Sequence, residues 1–170
     1  MKNKILLYVA VFFLILILFS QITQIFTGIE ISKLKPVQGK IENFTLVGVN
    51  SDRYILKGKS MLELQNRILI DNFNLKYIKN NETIFINSEQ ATYHKRKNFL
   101  DLFKNVKITT GKMKLYTDKL RILVNERRAY NTTKVKLVSD NMETLGENIF
   151  INLKQENMKL ENVKTIYRGS

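Results

Sequence analysis

The start of the chain is set apart by its hydrophobic pattern. Residues 5–19 form an unbroken apolar run, and polar residues then interleave with apolar ones as far as Phe26. As a helix, the run alone would span about 22 Å, less than a hydrocarbon core of about 30 Å. Extended from Ile5 to Phe26 it spans about 33 Å. The pattern therefore predicts one transmembrane helix over about residues 5–26.

The alternative for this segment is a cleaved signal peptide. Cleavage needs small residues at two positions before the cut, and neither residues 20–22 nor residues 26–28 satisfy this requirement. Lys2 and Lys4 precede the helix and favour a cytoplasmic N-terminus, which places the rest of the chain across the membrane. We therefore expect residues 1–29 to be a cytoplasmic tip and an uncleaved anchor.

The second half of the predicted anchor carries a polar stripe. Its members recur at three- and four-residue spacing and so share one helix face: Ser20, Thr23, Gln24 and Thr27. Such residues hydrogen-bond to neighbouring helices in membranes, or they lie at the level of the lipid headgroups. The first interpretation predicts a helical membrane partner, and the sequence leaves both open.

Beyond a connector at residues 30–38, the hydrophobic period changes to two. Residues 40–46, 118–124 and 157–163 alternate apolar and polar positions, which is the pattern of half-buried strands. Asparagine- and glycine-containing breaks at residues 79–82, 110–112 and 140–141 predict turns. Residues 39–170 are thus predicted to be one all-β domain of many short strands, either a sandwich, a jelly roll or an open roll.

An internal repeat divides this domain. Glu89, Asp118 and Glu147 start three similar segments and lie 29 residues apart, and a fainter copy starts at Gly58. We expect each unit to supply two or three short strands, entering from the acidic residue and ending at a pair such as Asn105-Val106. Stacked units of this kind form a continuous sheet around one apolar interior.

Alternation along the repeats predicts which side chains face that interior. They are Leu100, Leu102, Val106, Ile108, Leu120, Ile122, Val124, Val135, Leu137, Ile149, Ile151, Leu153, Met158 and Leu160. A dry core and a groove that admits acyl chains have the same sequence pattern, and periodicity alone favours the dry core. The two ends of the stack, near residues 39–49 and 158–167, are predicted to be unpaired sheet edges that can accept a partner strand.

Charge and missing residue types narrow the function. The net charge is +13, of which +11 falls on residues 30–170. This charge points to an anionic partner, namely a phosphorylated lipid, a nucleic acid or an acidic protein, and the alternative is that it serves solubility alone. The chain has no cysteine, which excludes disulfides and thiol chemistry. The single histidine, His94, lies in a basic stretch predicted to be a solvated turn. No metal-ligand cluster or cofactor motif is found, and we do not expect an enzyme.

The repeats resemble a known family. The residues that carry the resemblance are Ala91-x-Tyr93, Leu100-x-Leu102, Asn105-Val106 and Leu115-x-Thr117-Asp118-x-Leu120, followed by Gly146 before a final segment that contains Val163-x-x-x-Tyr167. Together with the predicted anchor, they resemble the LptC branch of the OstA-like lipopolysaccharide-export superfamily. Lys134 before Val135 departs from the usual Gly or Asn, and the resemblance is weak over residues 39–80.

The resemblance implies a twisted open β-jelly roll in the periplasm. It implies that the domain accepts lipopolysaccharide from an inner-membrane ABC transporter and passes it to an LptA-like protein. On this basis, the lipid-binding candidates are the inward-facing residues Leu100, Leu102, Val106, Leu120, Ile122, Val135, Ile149, Ile151 and Leu160. The partner-binding candidates are Ser20, Thr23, Gln24 and Thr27 in the anchor, and Gly146, Met158, Leu160 and Val163 near the C-terminal edge.

Three rival functions remain at this point. The domain could be a membrane-tethered scaffold that joins envelope proteins through its edges without carrying lipid. It could serve capsule or polysaccharide export. It could also bind nucleic acid, but the aromatic content is only 10% and most of these residues have inward parity. The predicted placement outside the cytoplasm argues against nucleic acid as well.

Overall fold

The computed structural model describes residues 39–49, 53–79, 82–123, 125–126, 128–152 and 157–168, apart from the side chains of residues 79, 82 and 158. Within these ranges no helix is long and apolar enough to cross a membrane. The predicted anchor at residues 5–26, including Ser20, Thr23, Gln24 and Thr27, lies outside the described residues, as does the connector at residues 30–38.

The described residues form ten β-strands. Their bounds are β1 Lys40–Val49, β2 Arg53–Glu63, β3 Arg67–Lys79, β4 Glu82–His94, β5 Phe99–Thr110, β6 Met113–Leu123, β7 Arg128–Tyr130, β8 Lys134–Ser139, β9 Met142–Asn152 and β10 Asn157–Tyr167. The all-β prediction is confirmed. The expectation of short strands is wrong, because β3 and β4 each run for 13 residues.

All strands join one antiparallel sheet in which neighbours in sequence are neighbours in space. The order is β1-β2-β3-β4-β5-β6, then β7 and β8 together, then β9 and β10. β7 and β8 each pair with both β6 and β9, so they form two halves of one interrupted strand position. β1 and β10 stand at the two ends of the sheet.

A line of left-handed residues crosses the sheet near the middle of its strands, and we call this line the crease. The residues with positive φ in it are Asn43, Asn72, Lys104, Asn105, Asn148 and Asn162, with φ between 50° and 59°. Asparagine tolerates this conformation better than other residues with side chains, since its short polar side chain can bond locally. Asparagine enrichment within the strands is therefore explained by backbone geometry.

The crease changes the parity of the buried positions in β3. In β3, Ile68 and Ile70 are buried before Asn72, whereas Phe73 and Leu75 are buried after it. Side chains from both sides of the crease belong to one hydrophobic core. The sheet therefore folds over along this line and encloses its own inner face, while the other face is turned outward.

The residues that begin each 29-residue repeat lie near the crease and not at the starts of strands. Glu89, Asp118 and Glu147 lie in the interiors of β4, β6 and β9, and Asn105-Val106 lies in the interior of β5. The expected unit boundaries were thus wrong. The repeat has this phase because its period of 29 residues covers about two strands and returns each copy to the crease, while the turns at the strand ends tolerate many sequences.

Side-chain hydrogen bonds tie the crease together from strand to strand. Ser60 Oγ donates to Asp71 Oδ2 at 2.7 Å, and Asn148 Nδ2 donates to Glu161 Oε2 at 2.7 Å. Asn131 Nδ2 donates to Thr117 Oγ1 at 2.6 Å, at the interruption between β7 and β8. Polar side chains at the crease therefore pair with each other across neighbouring strands.

Candidate lipid groove and sheet edges

The inner face of the folded sheet collects nearly all the predicted lipid-binding side chains. Most of the predicted residues are no more than 3% exposed, namely Leu100, Leu102, Val106, Leu120, Ile122, Val135, Ile149 and Ile151. Leu160 is partly buried and packs against the same core. Ile108 is buried and Leu137 is partly buried, whereas Val124, Leu153 and the Met158 side chain lie outside what the structure describes. Inward parity was therefore predicted correctly, and contact with lipid remains a prediction.

This interior is apolar and closed. Its largest fully buried side chains include Phe73, Leu56, Ile70 and Ile86, all with exposures of 2% or less. Side chains packed in this way have almost no contact with water. Their surface has the apolar chemistry that suits acyl chains.

The sequence did not single out the core contributed by β1 to β4. Phe44, Leu56, Phe73 and Ile84 are as much a part of it as the repeat residues. A usable signal was present, because Asn43-Phe44 and Asn72-Phe73 share the asparagine–apolar pairing of Asn105-Val106. Alternation was hard to follow there, since the parity changes within a single strand.

The two predicted sheet edges are present. β1 pairs only with β2, and β10 pairs only with β9, among the described residues. Both strands expose apolar side chains: Val47 and Val49 on β1, and Val163, Ile166 and Tyr167 on β10, with exposures from 43% to 70%. An exposed strand with unpaired backbone groups can accept a further strand.

Gly146 lies where β9 contacts the terminal strand. A Cβ atom at this position would be 2.5 Å from Cγ of Leu160, closer than real side chains approach each other. The absence of a side chain at Gly146 thus lets Leu160 of β10 pack against the core. Gly146 and Leu160 therefore support the C-terminal edge from within, whereas Val163 lies on its exposed surface.

An outer groove of about 610 Å³ crosses β5, β6, β8 and β9 beside the crease. Its lining includes Lys107, Tyr116 and Lys134 together with Val106 and Val135 of the core, and Lys107 lies over the Tyr116 ring at 5.7 Å. This groove therefore borders two of the predicted lipid-binding residues.

An ion pair that the sequence did not indicate lies on the outer face. Arg121 Nε and Nη2 donate to the two carboxylate oxygens of Asp101 at 2.6 and 2.7 Å, and Asp101 is only 4% exposed. His94 stacks on Phe99, and its Nε2 lies 3.5 Å from Asp101 Oδ2. His94 is thus half-buried and packed, which corrects its prediction as part of a solvated turn.

These charged groups have a structural explanation. Burial lowers the pKa of the His94 imidazole below its ordinary value, and the neighbouring Asp101 carboxylate opposes this shift. The hydrogen bonds that Arg121 donates to Asp101 raise the pKa of the Arg121 guanidinium. The described residues contain no group of three or more His, Cys, Asp or Glu that could hold a metal ion.

Comparison with known proteins gives a family but little structural likeness. A family model described as "Lipopolysaccharide-assembly, LptC-related" matches residues 7–168. No curated protein matches the chain. Among solved structures, LptH of Pseudomonas aeruginosa, described as the LptA homologous periplasmic component of the lipopolysaccharide transport device, is 10% identical. The likeness covers 75% of this chain and 96% of that one, with a TM-score of 0.31, which is too low to support an argument.

The family match extends over almost the whole chain, from the segment with the predicted anchor to the last described strand. It thus includes the apolar inner face, the crease and both sheet edges. The chain belongs to the LptC-related family of lipopolysaccharide-assembly proteins.

Proposed function

We propose that this chain is an inner-membrane-anchored component of the lipopolysaccharide transport bridge. In this proposal, its periplasmic domain is a twisted open β-jelly roll that accepts lipopolysaccharide from an ABC transporter. The acyl chains enter the apolar interior, and the domain passes the lipid to an LptA-like protein. The chain itself performs no chemistry and needs no cofactor.

One observation carries the proposal: a single apolar inner face continues from β1 to β10, and the sheet ends on each side at a strand whose outer edge is unpaired among the described residues. Each buried CH₂ group contributes about 0.8 kcal/mol, so an apolar interior can shield acyl chains during transfer. The open edges provide places for strand addition, with the transporter's periplasmic part at β1 and the LptA-like protein at β10.

The anchor completes the proposal. A helix over residues 5–26 would hold the domain at the inner membrane with its N-terminus in the cytoplasm. The polar stripe of Ser20, Thr23, Gln24 and Thr27 would contact helices of the transporter, because uncharged polar side chains hydrogen-bond across helices in lipid.

Photo-crosslinking tests whether the interior carries lipid. A photoreactive amino acid at Leu102, Ile122 or Ile151 should crosslink to lipopolysaccharide only when the transporter hydrolyses ATP. The matched control is Tyr116, an outward-facing position of β6, which should give no ATP-dependent product. Absence of lipid products at all inner positions of a folded protein would exclude the transport role.

The alternative is a tethered scaffold that joins envelope proteins by edge pairing and carries no lipid. The closed packing of the inner face favours this alternative, since Leu100, Leu102 and Ile149 have no exposed surface. The two functions differ in the crosslinking result, because a scaffold would capture protein partners at its edges and give no lipid product at the inner positions.

A further inference from the structure

The turns at one end of the sheet form a basic tip. We define this tip by three turns, at residues 64–66, 95–98 and 125–126, and by Arg67, which begins β3. Register places them together, because Arg67 pairs with His94, and Phe99 pairs with Leu123.

Hydrogen bonds hold the three turns in fixed positions. The Lys95 amide donates to the Asn66 carbonyl at 3.0 Å, which joins the first two turns. Asn98 Nδ2 donates to Asn125 Oδ1 at 2.6 Å, which joins the second turn to the third. Tyr93 Oη also donates to Asn98 Oδ1 at 2.5 Å. The tip is therefore built as one unit.

Three cations at this tip have no acidic partner among the residues that the structure describes. The nearby acids are already matched, since Glu63 pairs with Lys95, Glu126 with Arg128, and Asp101 with Arg121. Three residues remain exposed and form no ion pair with a described residue: Arg67, Arg96 and Lys97. Unmatched positive charge on a fixed surface attracts phosphate groups, and arginine can bind them through two parallel hydrogen bonds.

The chain enters the sheet at the same end. Gly39 precedes Lys40, which pairs with Leu62 one residue before the end of β2. At the opposite end, the exposed Lys112 pairs with Asp140, and Arg168 pairs with Glu143. The basic tip is therefore on the side of the domain from which the predicted membrane anchor leads.

We propose that the basic tip docks on the anionic phospholipid headgroups of the membrane that holds the anchor. The proposal rests on the anchored topology of the proposed function, and it adds an orientation of the domain relative to the bilayer. Each cation near an anionic membrane surface raises the binding constant for the membrane about fivefold. The docked state should therefore weaken as salt is added, since the surface field decays within about 10 Å at 0.1 M salt.

The test uses the full chain in lipid nanodiscs, and the absence of native cysteine permits single labels. A fluorophore is attached at Gln65→Cys on the tip, or at Asn141→Cys in a turn at the opposite end. Headgroup-located nitroxide lipids should quench the Gln65 label in discs that contain phosphatidylglycerol, and much less in discs of phosphatidylcholine alone. The Asn141 label should not respond to lipid charge.

Variants identify the cations responsible. Lys97→Gln should lower the ratio of docked to undocked protein about fivefold, and the combination of Arg67→Gln, Arg96→Gln and Lys97→Gln should abolish the difference between lipids. Lys112→Gln is the matched control at the opposite end and should leave quenching unchanged. Equal quenching in both lipid mixtures, or full quenching in the triple variant, would overturn the proposal.

Two further outcomes separate membrane docking from cargo binding and from loss of the anchor. Quenching that requires added lipopolysaccharide, and does not respond to phosphatidylglycerol, would assign the tip to cargo and overturn membrane docking. Failure of the chain to co-elute with the discs would refute the anchor and, with it, both proposals. Co-elution and ATP-dependent lipid crosslinks without tip quenching would overturn only the docking.

Discussion

Gly146 has no side chain where Leu160 of the neighbouring strand needs the space. Gly146→Ala should lower the free energy of unfolding by about 1–3 kcal/mol, since overpacking displaces a core side chain. Gly146→Arg should cost more and weaken capture of an LptA-like protein at β10. Urea unfolding and co-purification measure the two effects.

Leu160→Ala provides the control for that prediction. Combined with Gly146→Ala, it removes the clash, so the double variant should be more stable than the sum of the single effects implies. Strictly additive losses would show that the contact with Leu160 does not require a glycine at position 146. Normal co-purification of the LptA-like protein with Gly146→Arg would contradict the role of Gly146 in supporting the C-terminal edge.

Asp101 is a buried carboxylate whose charge is balanced by Arg121. Arg121→Leu should destabilise the domain by about 2–4 kcal/mol, because it leaves an unpaired charge in a nearly closed site. The exposure of the Arg121 side chain places the expected value below that of a fully buried pair. Chemical denaturation at neutral pH measures the loss.

The double variant Arg121→Leu with Asp101→Leu should recover much of that loss, because an apolar pair leaves no charge unmatched. The Arg121 guanidinium also lies over the Phe99 ring, 4.5 Å from its centroid. If the double variant is as unstable as the single one, this packing and not charge balance explains the role of Arg121. The sequence could not indicate this pair, since the two residues lie 20 positions apart and meet only through strand register.

The asparagines at the crease allow the left-handed backbone conformation within a strand. Asn72→Val should cost about 1–2 kcal/mol, because a β-branched side chain is strained at positive φ. Asn72→Gly should cost little, since glycine adopts that conformation freely. Asn87→Val in β4 is the matched control at an asparagine without positive φ, and urea unfolding of the three variants gives the comparison.

A similar loss for Asn87→Val would contradict the backbone explanation.

At the scale of the strand, the sequence correctly indicated a repeat of 29 residues but not where each repeat begins relative to the strands. The repeat was visible because every second strand position brings a similar segment to the crease, but its acidic residues lie within β4, β6 and β9. Local alternation cannot reveal that a strand continues through a parity change, since a turn between two short strands gives the same pattern.

The folded sheet as a whole presents two different edges. Lysine substitutions at Val163, Ile166 and Tyr167 should reduce capture of an LptA-like protein at least tenfold, because they place unpaired charge on the strand surface. Unfolding free energy should change by about 0.5 kcal/mol or less per site, since these side chains are exposed. Pull-down and urea unfolding test this prediction.

Val47→Lys with Val49→Lys is the matched control at the other edge. It should impair assembly with the transporter and leave capture of the LptA-like protein intact. Equal effects of both sets on both partners would show that the edges are not specialised.

By itself, the sequence determined the all-β class, the continuous stack of strands, the inward set from Leu100 to Ile151 and the family. These features follow from local chemistry, since alternation and repeated left-handed asparagines depend on neighbouring residues. Only the tertiary structure decided that each strand passes through the crease, that β1 to β4 share the core, and that Asp101 meets Arg121. The cations of the basic tip also come together only there, because register and folding of the sheet depend on all strands at once.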